Sequence, residues 1–292
     1  MTEILTTLDD IDPGYGALYC DLWGCLHDGR RAFPAAVAAL ERFRARGGTV
    51  VLLTNSPRPA HGVATQLAQL GAPRSCYDAI VSSGDATQAA LMTGRFGRRV
   101  YHIGPERDLV FFRDAEGAPL DVERVPLAEA ESIVCTGLFD DRSETPADYR
   151  ATILAARERG LRMLCANPDV VVDVGEARIY CAGAIAEAYA QAGGRVFYFG
   201  KPHPPIFALA RETLGRLKGW EPRTDEILMV GDGIATDVLG AMGEGIDAMF
   251  VTGGLAAAET GTTAEAGPDP ARLAAFLAEA RMAPRYAAAW LR

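Results

Sequence analysis

The sequence has few cations for its size, and this shortage limits the partners that it can attract. It contains 29 lysine and arginine residues against 38 aspartate and glutamate residues, which gives a formal charge of −9. Nucleic acids and anionic membrane surfaces both reward clustered positive charge. We therefore expect no nucleic-acid or membrane partner, and an anionic substrate must be attracted by a metal or by a few local cations.

Paired cysteines and long apolar runs are also missing. The six cysteines form no CxxC pair, and several lie inside apolar runs, where cysteine behaves as a small hydrophobic residue. No run of about 18 consecutive apolar residues occurs, and the first residues lack the basic region of a targeting leader. These features predict a cytoplasmic protein with reduced core thiols.

Short apolar runs alternate with longer amphipathic stretches, and this alternation is typical of parallel strands joined by crossover helices. The 292 residues, 49% of them hydrophobic, are enough for one large domain or two modest ones. We predict strands over residues 17–21, 49–54, 226–230 and 247–251, helices over 34–46, 58–70 and 236–242, and a loop over 256–270. The fold class is thus α/β, with a doubly wound parallel sheet.

The middle of the chain has strands and helices of its own and is large enough for a separate α/β unit inserted in the first. We predict a core domain over residues 1–85 and 196–292 and an inserted α/β domain over residues 86–195. The pair Gly193-Gly194 is a candidate hinge on the return to the core.

Four segments place polar residues where predicted strands end. Asp21 closes an apolar run before a glycine turn, and an aspartate there can act as a nucleophile or a metal ligand. The segment Thr54-Asn55-Ser56 combines a hydroxyl group with amides at a helix start, which suits a phosphoryl oxygen. The other two segments hold Lys201, between a glycine and a proline, and Asp232 with Asp237 about one helical turn later.

Together and in this order, the four segments resemble the motifs of the haloacid dehalogenase-like (HAD) hydrolases. The likeness is to the class IIA branch, which includes nucleotide, sugar-phosphate and p-nitrophenyl phosphatases with a large α/β cap. It covers nearly the whole chain, including the cap segments Ala166-Asn167-Pro168-Asp169 and Cys181-Ala182-Gly183-Ala184-Ile185. The resemblance implies a Rossmann-like core and a Mg²⁺-dependent phosphatase acting on a small phosphorylated substrate.

The resemblance also implies a role for each motif residue. Asp21 would attack the phosphorus, Thr54 would bind a phosphoryl oxygen, and Lys201 would offset the charge of the nucleophile and the phosphate. The implied Mg²⁺ ligands are Asp21, the backbone carbonyl of Trp23 and Asp232, with Asp237 as a ligand or a support. Asn55, Ser56 and Arg58 are the further candidates for substrate binding, and the cap stretch 167–173 and the turn at Gly183 are candidates for contact with the substrate from the cap.

One part of the family's catalytic set is missing. The residue two positions after the nucleophile is normally a second aspartate, which protonates the leaving group and then activates water, but here it is Trp23. An indole cannot act as a general acid, and positioned proton transfer is commonly worth roughly 10²- to 10⁴-fold in rate.

Three explanations are open. The substrate carries a good leaving group, such as an acyl phosphate, a phenolic phosphate or an anhydride; or His27 or Asp28 replaces the missing acid; or the protein is a weakened hydrolase that binds a phosphorylated ligand. Haloacid dehalogenation is a less favoured alternative, since dehalogenases of the superfamily generally work without metal and carry a small helical cap. Substrate identity does not follow from the sequence, and the sequence leaves open whether the protein forms a homodimer.

Overall fold

A computed structural model describes residues 2–174 and 177–292, and within them the chain forms two sheets of parallel strands and one antiparallel strand pair. The strands are β1 (Glu3–Leu5), β2 (Ala17–Cys20), β3 (Thr49–Thr54), β4 (Ala79–Ser82), β5 (Arg99–Ile103), β6 (Glu123–Arg124), β7 (Ser132–Cys135), β8 (Arg162–Cys165), β9 (Val171–Val174), β10 (Ala177–Tyr180), β11 (Arg195–Tyr198), β12 (Ile227–Gly231), β13 (Asp247–Val251) and β14 (Tyr286–Ala288). The α-helices are α1 (Pro34–Ala45), α2 (Ala60–Leu70), α3 (Ser83–Met92), α4 (Arg150–Glu158), α5 (Ala182–Gln191), α6 (Pro204–Lys218), α7 (Leu239–Gly243), α8 (Ala257–Thr260) and α9 (Pro270–Ala280).

The first sheet has the strand order β1-β14-β13-β12-β2-β3-β4. The chain builds outward from β2 through β3 to β4 on one side, and it returns to the other side of β2 with β12 and β13. The order therefore reverses between β2 and β12, and open α/β sheets bind their ligands at the carboxyl ends of the strands on either side of such a reversal.

The central strands of this sheet are buried along their whole length, as their apolar sequences require. Every residue of β2 and of β12 is buried, because a parallel strand is covered by helices on both faces and must be hydrophobic on both. Helix α1 starts with Pro34 in its first turn, where the missing proline N–H costs nothing, and its buried face carries Leu40 and Phe43.

The second sheet has the strand order β11-β8-β7-β5-β6 and a hydrophobic core of its own. Ile133 and Met163 from the sheet meet Ile153 of α4 and Ile185 and Tyr189 of α5 in this core. The antiparallel pair β9–β10 leads from the end of β8 to α5.

The described chain divides into two compact units. The first comprises Met1–Thr54, Thr65–Val81 and Phe207–Arg292, and the second comprises Asn55–Ala64 and Ser82–Ile206. The apolar run at residues 195–198 forms β11, which pairs with β8 and so lies in the second sheet. The core and cap boundaries at residues 85 and 196 stay a prediction.

Several element boundaries differ from the sequence-based predictions for local reasons. The helix predicted from residue 58 begins at Ala60, since Pro59 disfavours helical backbone in the residue before it. The helix predicted over 236–242 begins earlier, as a short π-helix over Ile234–Val238, and continues into α7. The stretch 256–270, predicted as a loop, contains α8. In the described part of the chain, no helix is long and apolar enough to span a membrane.

Candidate active site

The register of the first sheet brings three of the predicted motifs to one edge. Cys20 in β2 lies opposite Val230 of β12 and Leu52 of β3. Asp21, Asp232 and Thr54 follow these three residues by one or two positions, so they leave adjacent strands at the same carboxyl edge. The edge is the one where the strand order reverses.

Asp21 and Asp232 form a buried carboxylate cluster together with Cys25. One ligand atom from each of the three residues lies within 4.8 Å of the others, and the residues are 7%, 6% and 1% exposed. Two carboxylates this close repel each other unless a cation or a proton intervenes. The cluster therefore has the charge that a divalent cation would neutralise.

Glycines make room for Asp232 where the chain passes it closely. A Cβ on Gly24, whose φ is +79°, would stand 2.2 Å from the Asp232 carboxylate, and a Cβ on Gly254 would stand 1.9 Å from it. The backbone N–H of Leu255 donates to Asp232 at 3.1 Å. Only glycine fits at both positions, and the carboxylate is held from two sides.

Asp237 supports the turn that carries Asp232. Its Oδ2 accepts the backbone N–H of Gly233 at 3.0 Å, and a Cβ on Gly231 would stand 2.2 Å from the Asp237 Cγ. The side chain is 1% exposed. This contact fits the supporting role, and direct metal ligation by Asp237 stays a prediction, as does ligation by the carbonyl of Trp23.

The donor set of the cluster fits a hard cation such as Mg²⁺, which takes oxygen ligands. Burial, with the two aspartates nearby, raises the pKa of the Cys25 thiol well above its usual value. Sulfur is a soft ligand, whereas a hard cation such as Mg²⁺ selects oxygen. The carboxylates of Asp21 and Asp232 would therefore hold the ion, and Cys25 would pack beside it.

Trp23 lies folded against its own loop. Its ring stands edge-on to the His27 ring, with centroids 5.3 Å apart, and a Cβ on Gly29 would come within 2.4 Å of it. Gly29 has a φ of +80°, so the loop turns in a conformation that glycine adopts at no steric cost.

His27 and Asp28, which one of the three open explanations names as substitutes for the missing acid, have structural contacts in this loop. The Nδ1 atom of His27 accepts the N–H of Gly29 at 3.1 Å, and burial lowers the His27 pKa. Asp28 Oδ1 accepts the N–H groups of Arg30 and Arg31, both at 2.8 Å. These bonds hold both side chains within their own turn.

The remaining predicted residues, Asn55, Ser56, Arg58 and Lys201, belong to the second unit. Asn55 Oδ1 accepts the backbone N–H of Lys201 at 2.7 Å, and its Nδ2 donates to the Lys201 carbonyl at 3.1 Å. Ser56 Oγ accepts the N–H of Arg58 at 3.2 Å. The structure thus brings Asn55 and Lys201 together although 146 positions separate them.

Arg58 lies at one end of a polar network that the sequence did not reveal. Its Nε stands 3.4 Å from the Asp108 carboxylate, which also accepts a hydrogen bond from the Thr136 hydroxyl. The Thr136 hydroxyl lies 2.9 Å from Nε2 of His102. Burial raises the pKa of Asp108 and lowers that of His102 to about 4.

Cys25 and Asp108 are the residues that sequence reasoning missed. Cys25 looked like one more core thiol, and all six cysteines are indeed free and buried. Asp108 follows no motif and no strand end, and no signal in a single sequence could have found it.

Comparison with known proteins places these observations in a family. The sequence-family model of the haloacid dehalogenase-like hydrolases matches residues 18–117 of this chain, and the related family model of HAD-hydrolase-like proteins matches residues 198–280. The crystal structure of a haloacid dehalogenase-like hydrolase from Brucella suis 1330 is 42% identical, covers 99% of this chain and 100% of that one, and superposes with a TM-score of 0.86.

Two curated relatives are more distant. The 5′-nucleotidase YutF of Bacillus subtilis is 25% identical over 246 residues, which is 82% of this chain and 88% of YutF. The ribonucleotide monophosphatase NagD of Escherichia coli K12 is 25% identical over 240 residues, which is 81% of this chain and 87% of NagD. With the Brucella structure matching end to end, the chain belongs to the haloacid dehalogenase-like hydrolases, in their class IIA branch.

Proposed function

We propose that this protein is a Mg²⁺-dependent phosphatase that hydrolyses a small phosphorylated metabolite through an aspartyl phosphate on Asp21. The observation that carries the proposal is the buried pair of carboxylates, Asp21 and Asp232, at the carboxyl edge where the strand order reverses. Relatives named as a 5′-nucleotidase and a ribonucleotide monophosphatase support phosphate-ester hydrolysis as the reaction class.

Each residue has a defined task in this reaction. The Asp21 carboxylate attacks phosphorus in line with the leaving oxygen, whose bond to phosphorus breaks, and Thr54 donates its hydroxyl to a phosphoryl oxygen. Water then attacks the aspartyl phosphate, which releases inorganic phosphate and restores the Asp21 carboxylate. The positive charge of Lys201 offsets the charge of the phosphoryl group. A Mg²⁺ ion held by Asp21 and Asp232 supplies charge neutralisation for the phosphate oxygens when it is bound.

The position of Trp23 limits which substrates are turned over well. Because His27 and Asp28 are held in their own turn, the proposal favours a leaving group that departs with little proton assistance. Acyl phosphates, phenolic phosphates and anhydrides have this property. A weakened hydrolase that mainly binds a phosphorylated ligand is the second candidate, and the absence of an acid at Trp23 is the observation that favours it.

The test is hydrolysis of acetyl phosphate, p-nitrophenyl phosphate and a sugar phosphate, each with Mg²⁺ and with EDTA. We expect metal-dependent turnover that falls steeply as the leaving group worsens. The variant Asp21→Asn should lose turnover while it keeps its fold, since an amide cannot attack phosphorus. Asp9→Asn, in an exposed ion pair with Arg42, is the control and should retain activity. Full activity in Asp21→Asn would refute the mechanism.

A further inference from the structure

The side chain of Asn55 joins three parts of the second unit through both ends of its amide. Besides its two bonds to the backbone of Lys201, its Nδ2 donates to Oδ1 of Asp169 at 2.8 Å. Asn55 is 4% exposed. Its oxygen and its nitrogen are thus both engaged with the chain itself.

The surroundings leave this side chain little freedom. A Cβ on Gly200 would stand 2.5 Å from Asn55 Oδ1 and 2.5 Å from Cδ of Pro168. The turn that carries Asp169 is fixed in its own right, because Oδ1 of Asn167 accepts the Asp169 N–H at 3.0 Å. Asp169 therefore presents its carboxylate from a rigid turn.

The three bonds together select one orientation of the amide. A backbone N–H needs an acceptor, a backbone carbonyl needs a donor, and an ionised carboxylate only accepts. If the amide of Asn55 were flipped, its oxygen would face the Lys201 carbonyl and the Asp169 carboxylate. Asp169 thus favours the orientation in which the Asn55 amide bonds both the N–H and the carbonyl of Lys201.

We infer that Asp169 and Asn55 are positioning residues for Lys201, the lysine that the proposed function assigns to the phosphate. Lys201 is 2% exposed, so its side chain is confined and the placement of its backbone decides where the ammonium group stands. Displacement of a catalytic group by about 1 Å can cost roughly 10²-fold in rate. This inference rests on the proposed function and changes the predicted role of Asn55 from substrate contact to support of Lys201.

An exchange of the two side-chain types tests the link. Asn55→Asp keeps an acceptor for the Lys201 N–H, but it loses the donor and sets a carboxylate against Asp169. We expect kcat/KM for p-nitrophenyl phosphate to fall about tenfold or more. Asp169→Asn alone should cost less, because its amide oxygen can still accept from Asn55.

The double variant Asn55→Asp/Asp169→Asn restores a donor–acceptor pair with the roles reversed. Its kcat/KM for p-nitrophenyl phosphate should be at least threefold higher than that of Asn55→Asp. It should stay below the wild-type value, because the Lys201 carbonyl still lacks its donor. No recovery in the double variant would refute the role of Asp169. Asp121→Asn, in an exposed ion pair with Arg98 of the same unit, is the matched control and should keep wild-type kcat/KM.

Hydrogen exchange provides a readout that does not depend on activity. The Lys201 N–H should exchange faster in Asn55→Ala than in wild type, and its exchange rate should be unchanged in Asp121→Asn. If the rate in Asn55→Ala equals that of wild type, the Asn55 side chain does not hold the Lys201 N–H. If the wild-type protein hydrolyses none of the phosphate substrates, the proposed function fails. The exchange rates of the Lys201 N–H in the Asn55 and Asp169 variants then test, without any activity measurement, whether these two residues position the Lys201 backbone.

Discussion

At the scale of single residues, the candidate site depends on glycines as much as on acids. Gly24 combines a left-handed backbone with a close approach to Asp232, and neither requirement tolerates a side chain. The sequence marks the glycine turn after Asp21, but only the structure shows which side chain it accommodates.

The variant Gly24→Ala separates these two requirements. The added methyl group would stand 2.2 Å from the Asp232 carboxylate, so we expect hydrolysis to fall about tenfold or more. Gly47→Ala is the control, because Gly47 has a similar φ of +91° but open space around its Cβ position. It should lose about 1 to 2 kcal/mol of unfolding free energy and keep its activity. Equal activity losses in both variants, measured as kcat/KM beside urea unfolding, would contradict the close contact.

Trp23 gives a second prediction at this scale. Restoring a carboxylic acid by Trp23→Asp should raise hydrolysis of an alkyl phosphate more than that of phenyl phosphate, because the poorer leaving group gains more from protonation. Trp23→Asn makes the same loss of volume without an acid and is the matched control. Equal ratios of alkyl to phenyl activity in the Asp and Asn variants would show that proton donation is not what Trp23 removed.

At the scale of elements, polar side chains at the ends of β5 and β7 form the network that leads to Arg58. A Cβ on Gly104 would stand 1.9 Å from the Thr136 hydroxyl, so Gly104 allows the close approach of the His102 and Thr136 side chains. The network places a half-buried histidine, with a pKa near 4, in the second unit.

This histidine predicts how stability depends on pH. Burial, and to a lesser extent Arg124, lowers the His102 pKa from 6.5 to about 4. The unfolded chain therefore binds a proton more readily between these values, so the stabilisation is complete above pH 6.5 and is lost as pH falls towards 4. The loss is at most about 1.4 kcal/mol per pH unit in that window.

The measurement is urea unfolding at pH 7 and pH 5 for wild type and His102→Gln. Glutamine keeps a hydrogen-bonding group for Thr136 but does not titrate, so the variant should lose less stability on acidification. An identical loss in both proteins would place the acid sensitivity elsewhere.

At the scale of the whole molecule, the buried acidic cluster links metal binding to folding. Asp21 and Asp232 repel each other when both are ionised, and Mg²⁺ binding to the folded state should stabilise the protein. At roughly a hundred times Kd, the gain is about 2.7 kcal/mol, which raises the melting temperature by a few degrees. Asp232→Asn should abolish the Mg²⁺-dependent shift. NaCl at matched ionic strength is the control, and an equal shift with NaCl would argue against a specific site.

Much of this organisation followed from the sequence, because it is encoded locally. The strands at residues 49–54 and 247–251 have the predicted bounds, since buried parallel strands read as continuous apolar runs ended by polar residues. The family was likewise apparent from four short motifs in order, and the end-to-end match to the Brucella hydrolase confirms it.

Tertiary structure alone decided which distant side chains meet. Asp21 and Asp232 each follow a strand, but the pairing of β2 with β12 is what brings them together. Nothing local to Asn55 indicates that its side chain bonds both Asp169 and the Lys201 backbone, because hydrogen bonds across more than a hundred positions depend on how the strands are ordered. The sequence by itself determined the fold class and the chemical groups at the strand ends. The folded chain determined their partners, because partner choice is set by packing between elements and has no signal in any one of them.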